Sequence, residues 1–167
     1  MKKIVFVFVF VFVCFPFYAF SNQGDFSLKY LSFVYHTYDP DYDGTQYLEN
    51  QFFSLGYNLD SKNSFSIGTF KNSQGNRCFS AGLNREWVDF GNSWRFSGSY
   101  LYAGEFFFDV FSSCGDEGLY ADVKDAIGIG FAPYINHYFS YNFTESTSVD
   151  FGLLLPGITV INFNTNF

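Results

Sequence analysis

Residues 92–104 read NSWRFSGSYLYAG, and large and small side chains alternate along this stretch. One face carries the aromatic residues Trp94, Phe96, Tyr100 and Tyr102. The other face carries Arg95, Ser97 and Ser99. Successive side chains of a β-strand point to opposite faces, so a period of two indicates a strand. The stretch therefore predicts a strand with one aromatic face and one face of small or polar residues.

The same alternation recurs along the chain, whereas no helical period of useful length is found. Eight strands are predicted, at residues 28–36, 47–58, 64–71, 77–87, 92–104, 125–135, 148–155 and 158–167. Their connections alternate between long or acidic segments and short turns. An even strand number with long loops at one end and short turns at the other is typical of a bacterial outer-membrane barrel. A soluble β-sandwich shows the same alternation, so a further observation is needed to distinguish a membrane barrel from a sandwich.

The N-terminus supplies that observation. The chain begins with the positive segment MKK, continues with an apolar run over 4–15, and then has Ala19 and Ser21 spaced as in a cleavage site. An N-terminal membrane anchor is the alternative, but the run is shorter than the ~20 residues of a transmembrane helix. We expect a signal peptide at 1–21 and one domain at 22–167. Together with the 25% aromatic content, the signal favours an all-β, eight-stranded antiparallel transmembrane barrel in the outer membrane of a Gram-negative bacterium.

The charge balance argues against one class of partner. The chain has 9 basic and 16 acidic residues and a net charge of −7. Removal of a signal containing Lys2 and Lys3 makes the remainder more acidic still. Nucleic-acid-binding proteins need basic patches, so no nucleic acid is expected as a partner.

Two cysteines remain after the signal, which itself contains Cys14. Disulfides persist in the oxidising compartments that exported proteins reach. Cys78 and Cys114 can therefore form a disulfide, or they can be two unrelated buried thiols. Their spacing alone leaves both alternatives open.

Small residues are expected on the inward face of the barrel. They are Gly56, Ser66, Gly68, Ser80, Gly82, Ser97, Ser99, Gly128 and Gly130. Small inward residues leave a void, and an eight-stranded barrel can hold one slender ligand. Few inward positions are charged, so a hydrocarbon tail fits better than an ion. The alternative is that small residues only allow tight packing in a tapering barrel.

The predicted outer mouth of the barrel brings reactive side chains together. The turn FKNSQGN at 70–76 lies there, and His36 ends the first strand at the same level. A histidine is a natural general base near neutral pH, and a serine can be a nucleophile. His36 and Ser73 are therefore candidates for chemistry at the rim.

These residues resemble those of the lipid A palmitoyltransferase (PagP) family of Gram-negative outer membranes. The resemblance rests on His36 in SFVYHTY, on FKNSQGN, on Pro133 within a late strand, and on LLLPG at 153–157. It implies an eight-stranded barrel that moves a palmitoyl chain from a phospholipid to lipid A, with the chain held in the lumen. It also implies that His36, Asn72 and Ser73 form the catalytic site.

Two departures from the family pattern stand beside this resemblance. Asn72 occupies the place of a family aspartate, and an amide cannot carry charge as a carboxylate would. The short segment 22–27 also leaves no room for the amphipathic helix that precedes the family's first strand. These departures keep open a second hypothesis, a small outer-membrane barrel that binds lipid or modifies the cell surface without catalysis.

The leading hypothesis is acyl transfer from phospholipid to lipopolysaccharide. His36 would be the base for the acceptor hydroxyl, Ser73 its hydroxyl partner, and Asn72 an orienting residue. The expected partners are membrane phospholipid and lipopolysaccharide, the expected state is a monomer, and no metal or organic cofactor is implied. A solute channel is a weaker idea, because eight strands enclose little more than their own side chains.

Overall fold

The alternating segments form antiparallel strands in the computed structural model, which describes residues 25–37, 47–154 and 157–167. The predicted signal peptide at 1–21 lies outside these described residues. The strands are β1 Phe26–His36, β2 Tyr47–Glu49, β3 Phe53–Asn58, β4 Asn63–Lys71, β5 Arg77–Gly91, β6 Trp94–Gly104, β7 Phe131–Asn142, β8 Thr147–Leu154 and β9 Ile158–Asn166.

Pairing between the first and last strands closes the sheet into a barrel. β1 pairs with β9 from Ser27↔Asn166 to His36↔Ile158. From β3 to β9, each strand pairs with the next strand along the chain. β2 and β3 both pair with β1 and together make one barrel strand, interrupted where Gln51 adopts a left-handed φ of 47°. The barrel therefore has eight antiparallel strands, which confirms the predicted fold.

The two ends of the barrel differ in their connections. We call one the loop end, because it carries the connections at 37–46, 72–76, 105–130 and 155–157. The opposite turn end carries the short connections at 59–62, 92–93 and 143–146. At 92–93 both residues have positive φ, 47° and 71°, as in the two-residue turn that matches strand twist. This division of long and short connections matches the one expected from the sequence.

The side chains of the wall place apolar groups outward and polar groups inward. Exposed apolar residues include Phe53, Leu55, Tyr57, Phe65, Ile67, Leu83, Ile135, Phe139, Phe151 and Leu153. Buried polar residues include Ser54, Ser66, Ser80, Ser97, Ser99, Asn136, Ser140, Ser148, Asp150 and Asn162. A water-soluble protein buries its apolar side chains. This barrel has the reverse arrangement around most of its wall.

One predicted strand is wrong in its position. Residues 125–135 were expected to be extended, but α1 spans Leu119–Ile127 and β7 begins only at Phe131. A 3₁₀ helix at Asp109–Gly115 precedes α1. Gly128 ends the helix with a left-handed φ of 86°, a conformation that glycine adopts without steric cost. Neither Gly128 nor Gly130 therefore lies on the inward face of a strand. Among the described residues, neither helix is long and apolar enough to cross a membrane.

Candidate functional site

His36 and Ser73 meet at the loop end, as the sequence predicts. The His36 side chain is 3% exposed, and its Nε2 atom lies 3.0 Å from the Oγ atom of Ser73. Ser73 itself is exposed. With the proton on Nδ1, Nε2 accepts a hydrogen bond from the serine hydroxyl. This is the geometry of a nucleophile beside its general base.

The position of Ser73 is set by the tight turn between β4 and β5. The Oδ1 atom of Asn72 accepts hydrogen bonds from the backbone N–H groups of Gln74, at 3.1 Å, and Asn76, at 2.9 Å. Gly75 supplies the positive φ of 83° that the turn requires. The turn is therefore held by its own asparagine, and it presents Ser73 to solvent above His36.

Asn72 also ties this turn to the long connection between β6 and β7. Its Nδ2 atom donates to the backbone oxygen of Cys114 at 3.4 Å, and its side chain is buried. Both amide atoms of Asn72 are thus used to build the turn and its contact with Cys114. The predicted role of orienting the histidine remains untested by these contacts.

The segment 105–130, which we call the lid, is fixed to the barrel at the loop end. A disulfide bond joins Cys114 of the lid to Cys78 of β5, so the bonded alternative is the one found in the structure. The two cysteines lie in an apolar cluster with Phe52, Phe70 and Ala103, against which Tyr120 and Tyr134 pack. This cluster fills the interior at the loop end.

Charged groups hold the lid in shape. The Nζ atom of Lys124 donates to Glu105 Oε1 at 2.6 Å and to Asp116 Oδ1 at 2.9 Å. These hydrogen bonds, chiefly that to Glu105, raise the pKa of Lys124. Burial raises the pKa of Tyr120 in α1 to about 12, since an apolar surrounding disfavours the phenolate. Lys124 thus stays charged and Tyr120 neutral at physiological pH.

The interior towards the turn end is a polar cavity of about 450 Å³. Its lining includes hydroxyl and amide groups together with charged residues of both signs, among them Lys29, Lys62, Arg95, Asp60, Glu86, Glu145 and Asp150. Lys29 and Asp150 form an ion pair of 2.9 Å. Such a lining suits water and polar groups, and it matches poorly the hydrocarbon tail expected from the sequence.

The predicted lumen residues divide into three groups. Ser66 and Ser97 line the polar cavity, and Ser80 and Ser99 are buried. A Cβ atom on Gly56, Gly68 or Gly82 would come within 2.3–2.4 Å of an atom on a neighbouring strand, so these glycines allow the strands to approach closely.

Gly128 and Gly130 belong to the lid, where a Cβ atom on Gly130 would lie 2.2 Å from Gly115 Cα. The prediction that these last two line the lumen is wrong.

The helix of the lid and the charged groups that brace it were not among the features predicted from the sequence. The available signal was the apolar spacing of Leu119, Val123 and Ile127, which is the i, i+4, i+8 pattern of one helix face. The competing alternation over 127–131 (IGIGF) hid that pattern. The contacts of Lys124 with Glu105 and Asp116 depend on how the lid folds, so no local motif points to them.

No protein-family model matches the chain, and no curated protein matches it either. The resemblance to the palmitoyltransferase family therefore rests on the residues quoted above and on the barrel. The fold agrees with that resemblance, but a fold of this kind hosts many functions.

Proposed function

We propose that this protein is an outer-membrane enzyme that transfers an acyl chain from a phospholipid to a hydroxyl group of lipopolysaccharide. The observation that carries the proposal is the 3.0 Å contact between His36 Nε2 and Ser73 Oγ at the loop end. An exposed serine beside a buried histidine is suited to acyl transfer, because the base can take the hydroxyl proton as the oxygen attacks.

The wall of the barrel supports a membrane location. Its outward face carries apolar and aromatic side chains around the strands, and outer-membrane barrels face lipid with such a band. The predicted signal peptide implies export. With the turn end in the periplasm, as short turns are in such barrels, the His36–Ser73 pair lies at the outer leaflet, where lipopolysaccharide is found.

The chemistry can proceed in two half-reactions. In the first, Ser73 Oγ attacks the acyl ester carbonyl while His36 Nε2 takes its proton, and the lysophospholipid leaves with that proton. In the second, His36 takes the proton of an acceptor hydroxyl, whose oxygen attacks the acyl-serine and releases Ser73. His36 thus acts as base and then as acid in each half-reaction. The neutral Asn72 supplies no negative charge to stabilise the imidazolium.

A second candidate function is a barrel without catalysis, which binds lipid or modifies the cell surface. The interior favours this candidate. Aromatic side chains and the disulfide pack the loop end, and a polar cavity occupies the turn end. As far as the described residues line them, neither region offers the apolar groove that a buried acyl chain would need. If the protein is an acyltransferase, the acyl chain of the donor phospholipid would then stay in the membrane beside the barrel wall.

The test is the mass of lipid A from an outer-membrane host that lacks its own palmitoyltransferase. Expression of the full chain should add the mass of one acyl chain to lipid A. The His36→Ala and Ser73→Ala variants should abolish the added mass, because each removes one partner of the contact. Removing a catalytic nucleophile or its base commonly lowers the rate by several orders of magnitude.

Ser61→Ala is the matched control, since Ser61 is an exposed serine at the opposite end of the barrel. It should leave the added mass unchanged. Each variant must also show the heat-modifiable gel mobility of a folded barrel. Unchanged lipid A with a folded wild-type barrel would exclude the enzyme and leave the non-catalytic barrel.

A further inference from the structure

The outward wall carries a row of polar residues across three strands, although its surroundings are apolar. Arg85 of β5 lies opposite Gly98 of β6, and Gly98 lies opposite His137 of β7. Directly opposed residues share one face of a sheet. Arg85 and His137 therefore flank a position that has no side chain, on the outside of the barrel.

Two more polar groups converge on this glycine. A Cβ atom on Gly98 would lie 2.7 Å from the hydroxyl oxygen of Tyr100 and 3.1 Å from Trp87 Nε1. Trp87 Nε1 donates to the Tyr100 hydroxyl at 3.2 Å, and that hydroxyl lies 2.9 Å from His137 Nε2. We call the site formed by Arg85, Trp87, Gly98, Tyr100 and His137 the wall niche.

Arg85 brings the positive charge of the wall niche. Its guanidinium lies 4.7 Å from the centre of the Trp87 ring, and no residue in the described part of the chain accepts a hydrogen bond from it. The pKa of Asp60 is lowered chiefly by hydrogen bonds from the Asn63 side chain and the Lys62 backbone, and the charge of Arg85 adds only a smaller contribution. The five N–H donors of Arg85 are thus open to a ligand.

The wall niche lies on the turn-end side of the wall. Gly98 is four residues from Trp94, where β6 begins, which is about 13 Å along a strand at the usual rise. An arginine on the lipid face is costly at the bilayer midplane and is tolerated near an interface. The aromatic rings of Phe96 and Tyr100 pack against His137, as in an interfacial girdle. This level of the wall is where headgroups meet hydrocarbon.

We propose that the wall niche binds the phosphate of a phospholipid headgroup in the leaflet at the turn end. The guanidinium of Arg85 pairs with the phosphate oxygens, and His137 adds a second polar contact through Nδ1, the ring nitrogen that does not contact Tyr100. The acyl chains lie along Leu83 and Ile135, which are exposed on the wall. Charge complementarity and continuity with this apolar wall identify the occupant as an anionic lipid. The inference rests on the proposed membrane location and is independent of acyl transfer.

The tryptophan of the wall niche can report binding directly. The chain has 2 tryptophans, so the Trp94→Phe variant leaves Trp87 as the sole one. We would refold this variant in maltoside micelles and titrate dioleoylphosphatidylglycerol while recording tryptophan emission. A saturable change is expected, and Arg85→Gln in the same background should weaken apparent affinity at least tenfold. His137→Gln should weaken it less, since the guanidinium carries the charge.

Arg77→Gln is the matched control, because Arg77 is a partly exposed arginine at the loop end that is hydrogen-bonded to Gln51. It should bind the lipid as the parent does. An equal response to dioleoylglycerol, which lacks the phosphate, or to inorganic phosphate alone would overturn the proposal. So would the absence of any response by a barrel with normal heat-modifiable mobility. A failure to modify lipid A would contradict the proposed acyl transfer without contradicting lipid binding at the wall niche.

Discussion

At the scale of single residues, the ion pair between Lys29 and Asp150 is more deeply buried than the other ion pairs of the described residues. Their side chains are 13% and 2% exposed. Asp150 also accepts a hydrogen bond of 2.7 Å from Ser140, and the Lys29 ammonium lies 4.1 Å from the centre of the Tyr138 ring. The pair thus links β1, β7 and β8 across the lumen. Each charge depends on the other for compensation.

Replacing Asp150 by Asn should destabilise the barrel strongly. The change leaves the Lys29 ammonium without its counter-charge, and breaking a buried pair costs about 3–5 kcal/mol. We expect a loss of about 3 kcal/mol in the free energy of unfolding, at the lower end of that range, because Lys29 borders the polar cavity. Urea unfolding in detergent micelles, followed by tryptophan emission, measures it.

The double variant Lys29→Met with Asp150→Leu separates charge from packing. It removes both ions, so it should be more stable than Asp150→Asn alone. If Asp150→Asn is as stable as the parent, water in the cavity already screens the charges of Lys29 and Asp150.

Also at the residue scale, the sequence could identify His36 and Ser73 as neighbours but not the use made of Asn72. The first pairing follows from strand order, because a barrel with eight strands brings the end of β1 and the β4–β5 turn to the same rim. The contacts of Asn72 depend on the backbone of Cys114, which lies 42 residues away in the sequence. Local residue patterns carry no information about such a contact.

At the scale of elements, the lid depends on its disulfide more than on its own helix propensity. α1 has 9 residues, and isolated helices of that length are marginal in water. The disulfide closes a loop with a sequence separation of 36, which corresponds to about 4 kcal/mol in the chain-entropy model. The lid should therefore loosen when the bond is absent, while the strands remain paired.

Trypsin can test this directly, because Lys124 is the only basic residue of the lid. In the native protein its ammonium is engaged by Glu105 and Asp116, so cleavage after Lys124 should be slow. The double variant Cys78→Ser with Cys114→Ser should be cut there at least tenfold faster, as read by mass spectrometry of the fragments. Equal rates for parent and variant would show that packing alone holds the lid.

The misplaced strand at 125–135 also belongs to this scale. Alternating isoleucine and glycine over 127–131 is equally compatible with a strand and with a helix end followed by a turn. The close contact of Gly130 with Gly115 and the burial of Tyr120 against the apolar cluster favour the second. Tertiary packing decides here between two local patterns, the helical spacing of Leu119, Val123 and Ile127 and the alternation over 127–131.

At the scale of the whole molecule, the predicted barrel rests on the alternation along the strands together with the predicted signal peptide and the aromatic content. Large apolar side chains alternate with small or polar ones in strand after strand, and a one-residue slip would invert both faces. In a membrane, such a chain has to close on itself with its polar face inside, since only closure leaves no unpaired sheet edge facing lipid. Alternation alone does not show whether lipid or water surrounds the outer face of the barrel, so a measurement has to distinguish the two.

Placing an arginine in the middle of the wall distinguishes the two environments. Ile67 is 46% exposed and lies at the centre of β4, opposite Leu55 and Ala81. If lipid surrounds the wall, Ile67→Arg should cost about 2–4 kcal/mol when the barrel is folded into vesicles. Leu59→Arg is the control, since Leu59 is 55% exposed in a turn-end connection and should cost about 0–1 kcal/mol. In a water-soluble barrel an exposed arginine is well solvated, so both changes would fall within about 0.5 kcal/mol of the parent. Equal, small effects of the two substitutions would therefore contradict the membrane location and the proposed lipid chemistry with it.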